Sequence, residues 1–165
     1  MFSINDTVMY STVGVCRVEG VSALALGRES KDYYVLRPLS NGGSTVYIPV
    51  DNEQLLSKVR KVITRDELSD LLSCDIAAEW IDDSTARSAA YSGIIKSGDR
   101  SRIIGIILTL TNRRRSLSGT GRKLRISDER ALRDCERIIG DEVAYVLGIS
   151  TEKAIDYIKD NVNSL

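Results

Sequence analysis

The sequence predicts an α+β protein in which a small antiparallel β-barrel of the Tudor/SH3 type precedes an all-α domain of about four to five helices. Two observations support this prediction. Residues 1–50 contain short apolar runs separated by turn residues, and from residue 64 onward the apolar residues recur at helical spacing. The 165 residues suffice for one domain of usual size or two small ones. We place the boundary so that 1–60 forms the first domain and 61–165 the second.

The first domain takes its strands from four runs that are rich in β-forming residues, at 7–10, 13–18, 32–36 and 44–49. Turn residues at 11–12, 27–30 and 41–43 separate these runs, and the Gly-Gly pair in the last turn predicts a hairpin. In the fourth run, alternation places Val46 and Ile48 on one face and Thr45 and Tyr47 on the other. Four or five such strands in about 50 residues indicate a small closed barrel.

Start and stop residues divide the second domain into helices. Thr64 and Glu67 have the spacing of a capping box, and Gly98 followed by Asp99 is typical of a helix end and a new N-cap. Gly148 and Ser150 predict a second boundary of this kind. We expect a first helix that begins at 64 and a second that covers about 75–97, with a break near Ser84. Three further helices are expected at about 100–113, at about 127–147 and from 151 onward, with a polar Ser/Gly loop at 116–122.

The composition excludes several classes of catalytic site. The chain has no histidine, so Ser-His-Asp catalysis and histidine zinc sites are absent. Cys16, Cys74 and Cys135 are too far apart for a CxxC metal pair, and we expect each to be a small buried apolar residue. The sequence has no long apolar run and no secretion signal. We therefore expect a cytoplasmic protein that is not an enzyme, with no cofactor, small-molecule substrate or membrane partner.

The net charge is zero, but the charges are segregated along the chain. Residues 100–125 carry eight basic and no acidic side chains, whereas 61–99 and 126–165 each have a net charge of −4. Such a segment is typical of phosphate contact in nucleic acids, although arginines that neutralise the neighbouring acidic helices would give the same pattern. The candidate phosphate contacts in this segment are Arg100, Arg102, Arg113, Arg114, Arg115, Arg122 and Lys123.

Three side chains outside this segment extend the candidate DNA surface. Arg87 and Lys96 lie near the junction of the second and third predicted helices. Trp80 is the only tryptophan, and its polar sequence context is compatible with an aromatic wedge at a DNA base step. Ordinary packing between helices explains Trp80 equally well at this point.

Residues 143–155 also read as a helix-turn-helix, which gives the alternative of a nucleic-acid-binding regulator that does not require RNA polymerase. The second helix of this motif carries Glu152, Asp156 and Asp160, which is a poor charge balance for entering a DNA groove.

Short motifs occur in a characteristic order along both domains, at 2–10, 13–15, 33–36, 46–50 and 59–63, then at Trp80, Arg87, 96–99 and 142–144. Their order and spacing resemble the CarD/CdnL family of bacterial transcription regulators. Trp80 stands seven residues ahead of Arg87, farther than in the family pattern.

The resemblance implies a Tudor-like domain, shared with the transcription-repair coupling factor, that binds the β subunit of RNA polymerase. It also implies a helical domain that contacts promoter DNA near the upstream edge of the melted bubble and stabilises the open complex without reading a defined sequence. Leu24 and Tyr47 stand where some members carry basic residues, so we expect a more apolar polymerase interface. The predicted polymerase-binding residues are Leu24, Thr45, Val46, Tyr47 and Ile48.

Overall fold

The computed structural model describes residues 2–10, 13–26, 29–40, 44–76 and 79–162. The chain divides into two compact units, Met1–Val62 and Ile63–Leu165, which we call the N-terminal unit and the helical unit. The predicted domain bounds, 1–60 and 61–165, stay a prediction. In the described part of the chain, no helix has the length and apolar character needed to cross a membrane.

Where the structure describes the N-terminal unit, its strands form a five-stranded antiparallel sheet with strand order β4-β3-β2-β1-β5. The predicted hairpin is confirmed, because Tyr34 pairs with Ile48 and Leu36 with Val46 across β3 and β4. A β-bulge between Val18 and Gly20 carries the second strand well beyond its predicted end. The elements of this unit are β1 (Thr7–Tyr10), β2 (Gly14–Leu26), β3 (Glu29–Pro38), β4 (Val46–Pro49), the short α1 (Glu53–Leu56) and β5 (Val59–Lys61).

One face of this sheet buries the core of the unit. Alternate residues of every strand meet there, as the pleat requires. The buried residues of this core are Val8, Cys16, Val18, Tyr34, Leu36, Ile48 and Val59.

The expected closed barrel is wrong in one respect: among the described residues, no ladder joins β4 to β5. Both strands are short, at four and three residues, and the chain between them turns through α1 instead of running alongside either edge. The open sheet is still compatible with a Tudor-like fold. The predicted turns at 11–12 and 41–43, and residues 27–28 of the predicted turn at 27–30, lie outside the described residues.

The described residues of the helical unit form five helices, and most of their predicted ends are confirmed. Thr64 and Glu67 form the reciprocal capping box, Gly98 and Gly148 end their helices in the left-handed conformation, and Ser150 caps the last helix. The bounds are α2 (Arg65–Ser73), α3 (Ser84–Ser97), α4 (Arg100–Ser118), α5 (Ile126–Leu147) and α6 (Thr151–Asn161).

Two helices differ from the prediction. α3 begins only at Ser84, because the Asp83 carboxylate caps it by accepting from the Ala86 N–H. The segment 79–83 before it is not helical, and 77–78 lie outside the described residues. α4 continues to Ser118, so the first three residues of the expected loop belong to the helix.

α5 is the central element of the helical unit, and α2, α3, α4 and α6 all pack against it. The contact with α6 is closest at Gly140, where a methyl group added to the Cα atom would lie 2.8 Å from Thr151 Cγ2 and 3.1 Å from Ile155 Cδ1. A glycine at this position therefore allows α6 to approach the backbone of α5.

We expect Gly140→Ala to lower the free energy of unfolding by about 1–3 kcal/mol, because the new methyl group overpacks the α5–α6 contact. Urea denaturation followed by circular dichroism measures the change. The matched control is Gly93→Ala in α3, where the space around the new methyl group is open and alanine is expected to add about 0.5–1 kcal/mol. A Gly140→Ala protein as stable as the unmodified chain would contradict the close approach.

Candidate polymerase and nucleic-acid interfaces

Four of the predicted polymerase-binding residues lie on or next to the edge strand β4, and the fifth, Leu24, lies on β2 inside the sheet. In the described residues β4 has a single neighbour, β3, so its other backbone edge is unpaired. Tyr47 is 48% exposed, and Leu24 and Thr45 are half-buried. Ile48 is buried in the core, and Val46 packs against the core with its side chain partly exposed.

An ion pair that the sequence did not predict lies near this outer face. The Arg37 guanidinium donates to the Glu19 carboxylate through Nε and Nη2. The pKa of Arg37 is raised, mainly by its hydrogen bond to Glu19. Because both side chains are largely exposed, the pair orders the polar part of the surface and contributes little to stability.

Trp80 is held by a carboxylate and two guanidinium groups. Its Nε1 donates to Asp82 Oδ1 at 3.0 Å. The Cζ atoms of Arg87 and Arg113 lie 4.1 and 4.9 Å from the ring centroid, within the range of cation–π attraction. The indole is half-buried, so part of it stays accessible in this position.

Arg87, a predicted DNA contact, lies in the interior and is only 1% exposed. Its Nε and Nη2 donate to the two carboxylate oxygens of Asp128 at 3.0 and 2.8 Å. Its Nη1 donates to the carbonyls of Ile81 and Asp82 at 2.6 and 3.2 Å. The pKa of Arg87 is raised, mainly by its hydrogen bonds to Asp128. The expectation of a phosphate contact is therefore corrected: Arg87 fixes the segment that carries Trp80.

Arg100 is engaged in a second internal ion pair. Its Nη2 donates to Glu142 Oε1 at 2.7 Å, and its Nε is within 3.2 Å of both carboxylate oxygens. Glu142 is fully buried and also accepts from the backbone N–H of Ile63 at 3.0 Å. The buried Glu142 carboxylate engages this guanidinium, whose side chain stays 25% exposed, so the phosphate contact of Arg100 stays a prediction.

The other predicted DNA contacts are exposed and fall into two groups along the chain. Lys96 and Arg102 lie at the α3–α4 junction, and Arg102 is about 16 Å from Arg113 along the axis of α4. Arg113 lies beside Trp80, and Arg125, outside the predicted set, donates through Nη1 to Ser84 Oγ at 3.1 Å. We call the second group the Trp80 surface; it consists of Trp80, Arg113, Arg114, Arg115, Arg122, Lys123 and Arg125.

Sequence reasoning missed the two carboxylates that hold these arginines, Asp128 and Glu142. A signal was available, because both fall on the apolar side of α5, four residues before Leu132 and three after Ile139. An acidic residue at an inward position requires a cationic partner.

Two of the three cysteines, Cys16 and Cys135, are buried. Burial raises the pKa of Cys16 to about 11 and of Cys135 to about 12, so both thiols are protonated at neutral pH. The expectation of burial is wrong for Cys74, which is exposed at the end of α2. Across the described ranges, no group of three or more Cys, Asp or Glu side chains is arranged to hold a metal ion.

Comparison with known families agrees with the geometry of the sheet. A family model described as the CarD-like/TRCF RID domain matches residues 2–63. The N-terminal unit belongs to this domain family. The CarD-like domain is an RNA polymerase-interacting module, and the protein has a transcription-related role. The match ends where the helical unit begins.

Replacing Asp128 with asparagine leaves the Arg87 guanidinium buried without its counter-charge, and we expect the free energy of unfolding to fall by about 3–5 kcal/mol. Because Arg87 lies over Trp80, the fluorescence of this single tryptophan in the native state should change as well.

Urea denaturation monitored by circular dichroism and by Trp80 emission measures both effects. The matched control is Asp134→Asn on the same helix, whose carboxylate is half-buried and for which we expect a change within about 0.5 kcal/mol. Equal stability of the two variants would contradict the role assigned to the ion pair.

Proposed function

We propose that the protein is a non-enzymatic bacterial transcription regulator that binds the β subunit of RNA polymerase through its CarD-like domain. Its helical unit then contacts promoter DNA near the upstream edge of the bubble and stabilises the open complex. This role belongs in the cytoplasm, where the polymerase works. The observation that carries the proposal is the CarD-like/TRCF RID domain at 2–63, in a chain whose helical unit exposes the Trp80 surface.

The unpaired edge of β4 supports the docking half of the proposal. A strand of the polymerase would add to this edge through backbone hydrogen bonds, and exposed side chains of the outer face would provide specificity. Tyr47 is the most exposed of the predicted contacts and offers a large amphipathic ring, the kind of side chain that dominates binding energy in interfaces. Thr45 and Leu24 are half-buried contributors.

The Trp80 surface supports the DNA half. Exposed arginines form charge-assisted hydrogen bonds with phosphates without reading sequence. An aromatic side chain beside them would insert at a base step that is already destabilised by melting. Docking on the polymerase raises the effective concentration of this surface at the promoter, so weak intrinsic affinity for DNA is sufficient.

The proposed phosphate contacts differ from the predicted set in two ways. Arg87 acts through its internal ion pair and is not a direct contact, whereas Arg100, paired with Glu142 and 25% exposed, stays in the set. Arg125 joins the set because it lies at the α4–α5 turn next to the start of α3. Lys96 and Arg102 stay in the set as a separate group at the α3–α4 junction.

The helix-turn-helix alternative gains no support from the charges of α6. Its exposed side includes Glu152, Asp156 and Asp160 together with Lys153. A helix that enters the major groove with this balance would meet phosphate repulsion.

Tyr47→Glu is expected to weaken binding to RNA polymerase about tenfold or more. The change removes an aromatic contact at the strand edge and introduces a carboxylate that would have to be desolvated in the interface. Surface plasmon resonance with immobilised core polymerase measures the affinity. Tyr157→Glu, the same change at an exposed position of α6, serves as the control and should bind normally. If Tyr47→Glu binds as well as this control, β4 does not belong to the interface.

Trp80→Ala should leave the affinity for polymerase unchanged and shorten the lifetime of the open complex about fivefold or more, the loss that about 1 kcal/mol of stacking predicts. The lifetime is measured by the decay of competitor-resistant complexes on a promoter fragment. The Arg87–Asp128 pair does not require the indole, so we expect the variant to fold.

Trp80→Phe keeps an aromatic ring and should recover part of the lifetime. Tyr157→Ala, which removes an exposed aromatic side chain from α6, controls for nonspecific effects. If the polymerase is fully occupied by Trp80→Ala and the lifetime of the open complex is unchanged, insertion of the Trp80 ring at a base step is contradicted.

A further inference from the structure

The helical unit contains a cavity of about 430 Å³ that is lined by residues of α3, of α4 and of the segment before α3. We call it the α3–α4 cavity. A volume of this size is typical of small-molecule sites, in which a few polar groups on largely apolar walls fix the orientation of the ligand. Its lining includes three isoleucines and three charged residues: Ile81, Ile94, Ile106, Asp75, Glu79 and Arg102.

One side of α4 forms a wall of this cavity. Arg102, Gly105, Ile106 and Thr109 are spaced so that they lie on the same face of the helix. Gly105 is inside the helix, where glycine is less favourable than alanine, and its lack of a side chain leaves space on this face. The Thr109 hydroxyl donates to the Gly105 carbonyl at 2.8 Å, so its oxygen remains available as an acceptor.

The α3 side of the cavity includes Tyr91, which is only 4% exposed. Within the part of the chain that the structure describes, the Tyr91 hydroxyl has no hydrogen-bond partner. Buried hydroxyl groups are nearly always paired in native proteins, with protein atoms, ordered water or a ligand. The cavity therefore has a wall residue whose hydrogen-bonding capacity the described residues do not use.

The charged side chains of the cavity are also uncommitted. Asp75, Glu79 and Arg102 are exposed, and no described residue forms a hydrogen bond or an ion pair with their side chains. A carboxylate only accepts hydrogen bonds, and a guanidinium only donates them. A matching ligand has N–H donors for the carboxylates, an anionic group for the guanidinium and a flat apolar body for the isoleucine walls.

We propose that the α3–α4 cavity binds a guanine base together with its 5′-phosphate. Guanine presents N1–H and the 2-amino group side by side, and the carboxylate of Asp75 or Glu79 accepts from both. The purine ring packs against the isoleucine side chains, and the phosphate pairs with Arg102. This inference goes beyond the proposed function, because neither docking on the polymerase nor the Trp80 surface requires a nucleotide pocket.

This ligand chemistry has two sources. One is a free guanine nucleotide, and the other is an unpaired guanine of a melted DNA strand, which leaves the base stack to enter a pocket. Both sources present the same N–H donors and a phosphate, so the experiment first tests the base and then distinguishes where it comes from.

Isothermal titration calorimetry of the full-length chain compares GMP with IMP, which lacks only the 2-amino group, and with AMP, which lacks the N1–H donor. We expect GMP to bind and IMP to bind about tenfold more weakly, the loss expected for one hydrogen bond to a charged acceptor. AMP should bind at least as weakly as IMP. Equal affinities for the three nucleotides would overturn the guanine site.

Variants of the cavity residues test the assignment of each group. Asp75→Asn/Glu79→Gln should remove the preference for GMP over IMP, and Arg102→Gln should weaken GMP binding about tenfold. The matched controls are Asp70→Asn/Asp160→Asn and Lys96→Gln, which change exposed charges of the same unit outside the cavity. Circular dichroism compares the folds. Cavity variants that bind GMP as the controls do would overturn the proposal.

Fluorescence anisotropy with two labelled single strands distinguishes the sources of the base. One strand contains a single guanine among thymines, and the other contains thymine alone. Tighter binding of the first strand, competed by GMP, supports the cavity as a site for an unpaired base of DNA. Binding of GMP without a difference between the strands supports it as a site for a free nucleotide. No binding of GMP at millimolar concentration together with no preference between the strands would overturn both, and would leave the proposed contact of the Trp80 surface untouched.

Discussion

Two ion pairs whose carboxylates are buried on α5 determine how the helical unit is arranged. Asp128 holds Arg87 of α3 and Glu142 holds Arg100 of α4, and the two carboxylates are about 21 Å apart along the helix. A buried charge that loses its partner costs several kcal/mol, so each pair fixes where its helix crosses α5. Glu142 also accepts from the Ile63 N–H, which ties the first residue of the unit to the same point.

These pairs also decide which arginines remain available to a partner. Asp128 holds Arg87 in the interior and Glu142 engages Arg100, which stays partly exposed, whereas Arg113 and its neighbours meet no buried acid and stay exposed. Arg87 in turn holds the carbonyls of Ile81 and Asp82, which fixes the approach to α3 and places the indole of Trp80 beside Arg113. The interior pairs and the candidate DNA surface are therefore consequences of the same arrangement.

The sequence predicted local features well, and it missed those that depend on distant partners. The caps at Thr64, Gly98 and Ser150 need only a few neighbouring residues, and each is confirmed. The burial of Arg87 depends on Asp128, 41 residues away, and no local pattern around Arg87 distinguishes a buried from an exposed guanidinium. Closure of the sheet depends on pairing between its two edge strands, β4 and β5, and strand propensity does not determine that pairing.

The balance of charges favours a division of tasks between the two units of the chain. With a net charge of zero, the free protein has little long-range attraction for DNA, and the field of its basic surfaces is screened within about 8–10 Å in physiological salt. Such surfaces act only after another contact has brought them to the duplex. In the proposed function, the polymerase-interacting domain provides that contact, so the arginines of the helical unit need to act only at short range. Promoter specificity then depends on where the polymerase is bound and on how easily the DNA there opens.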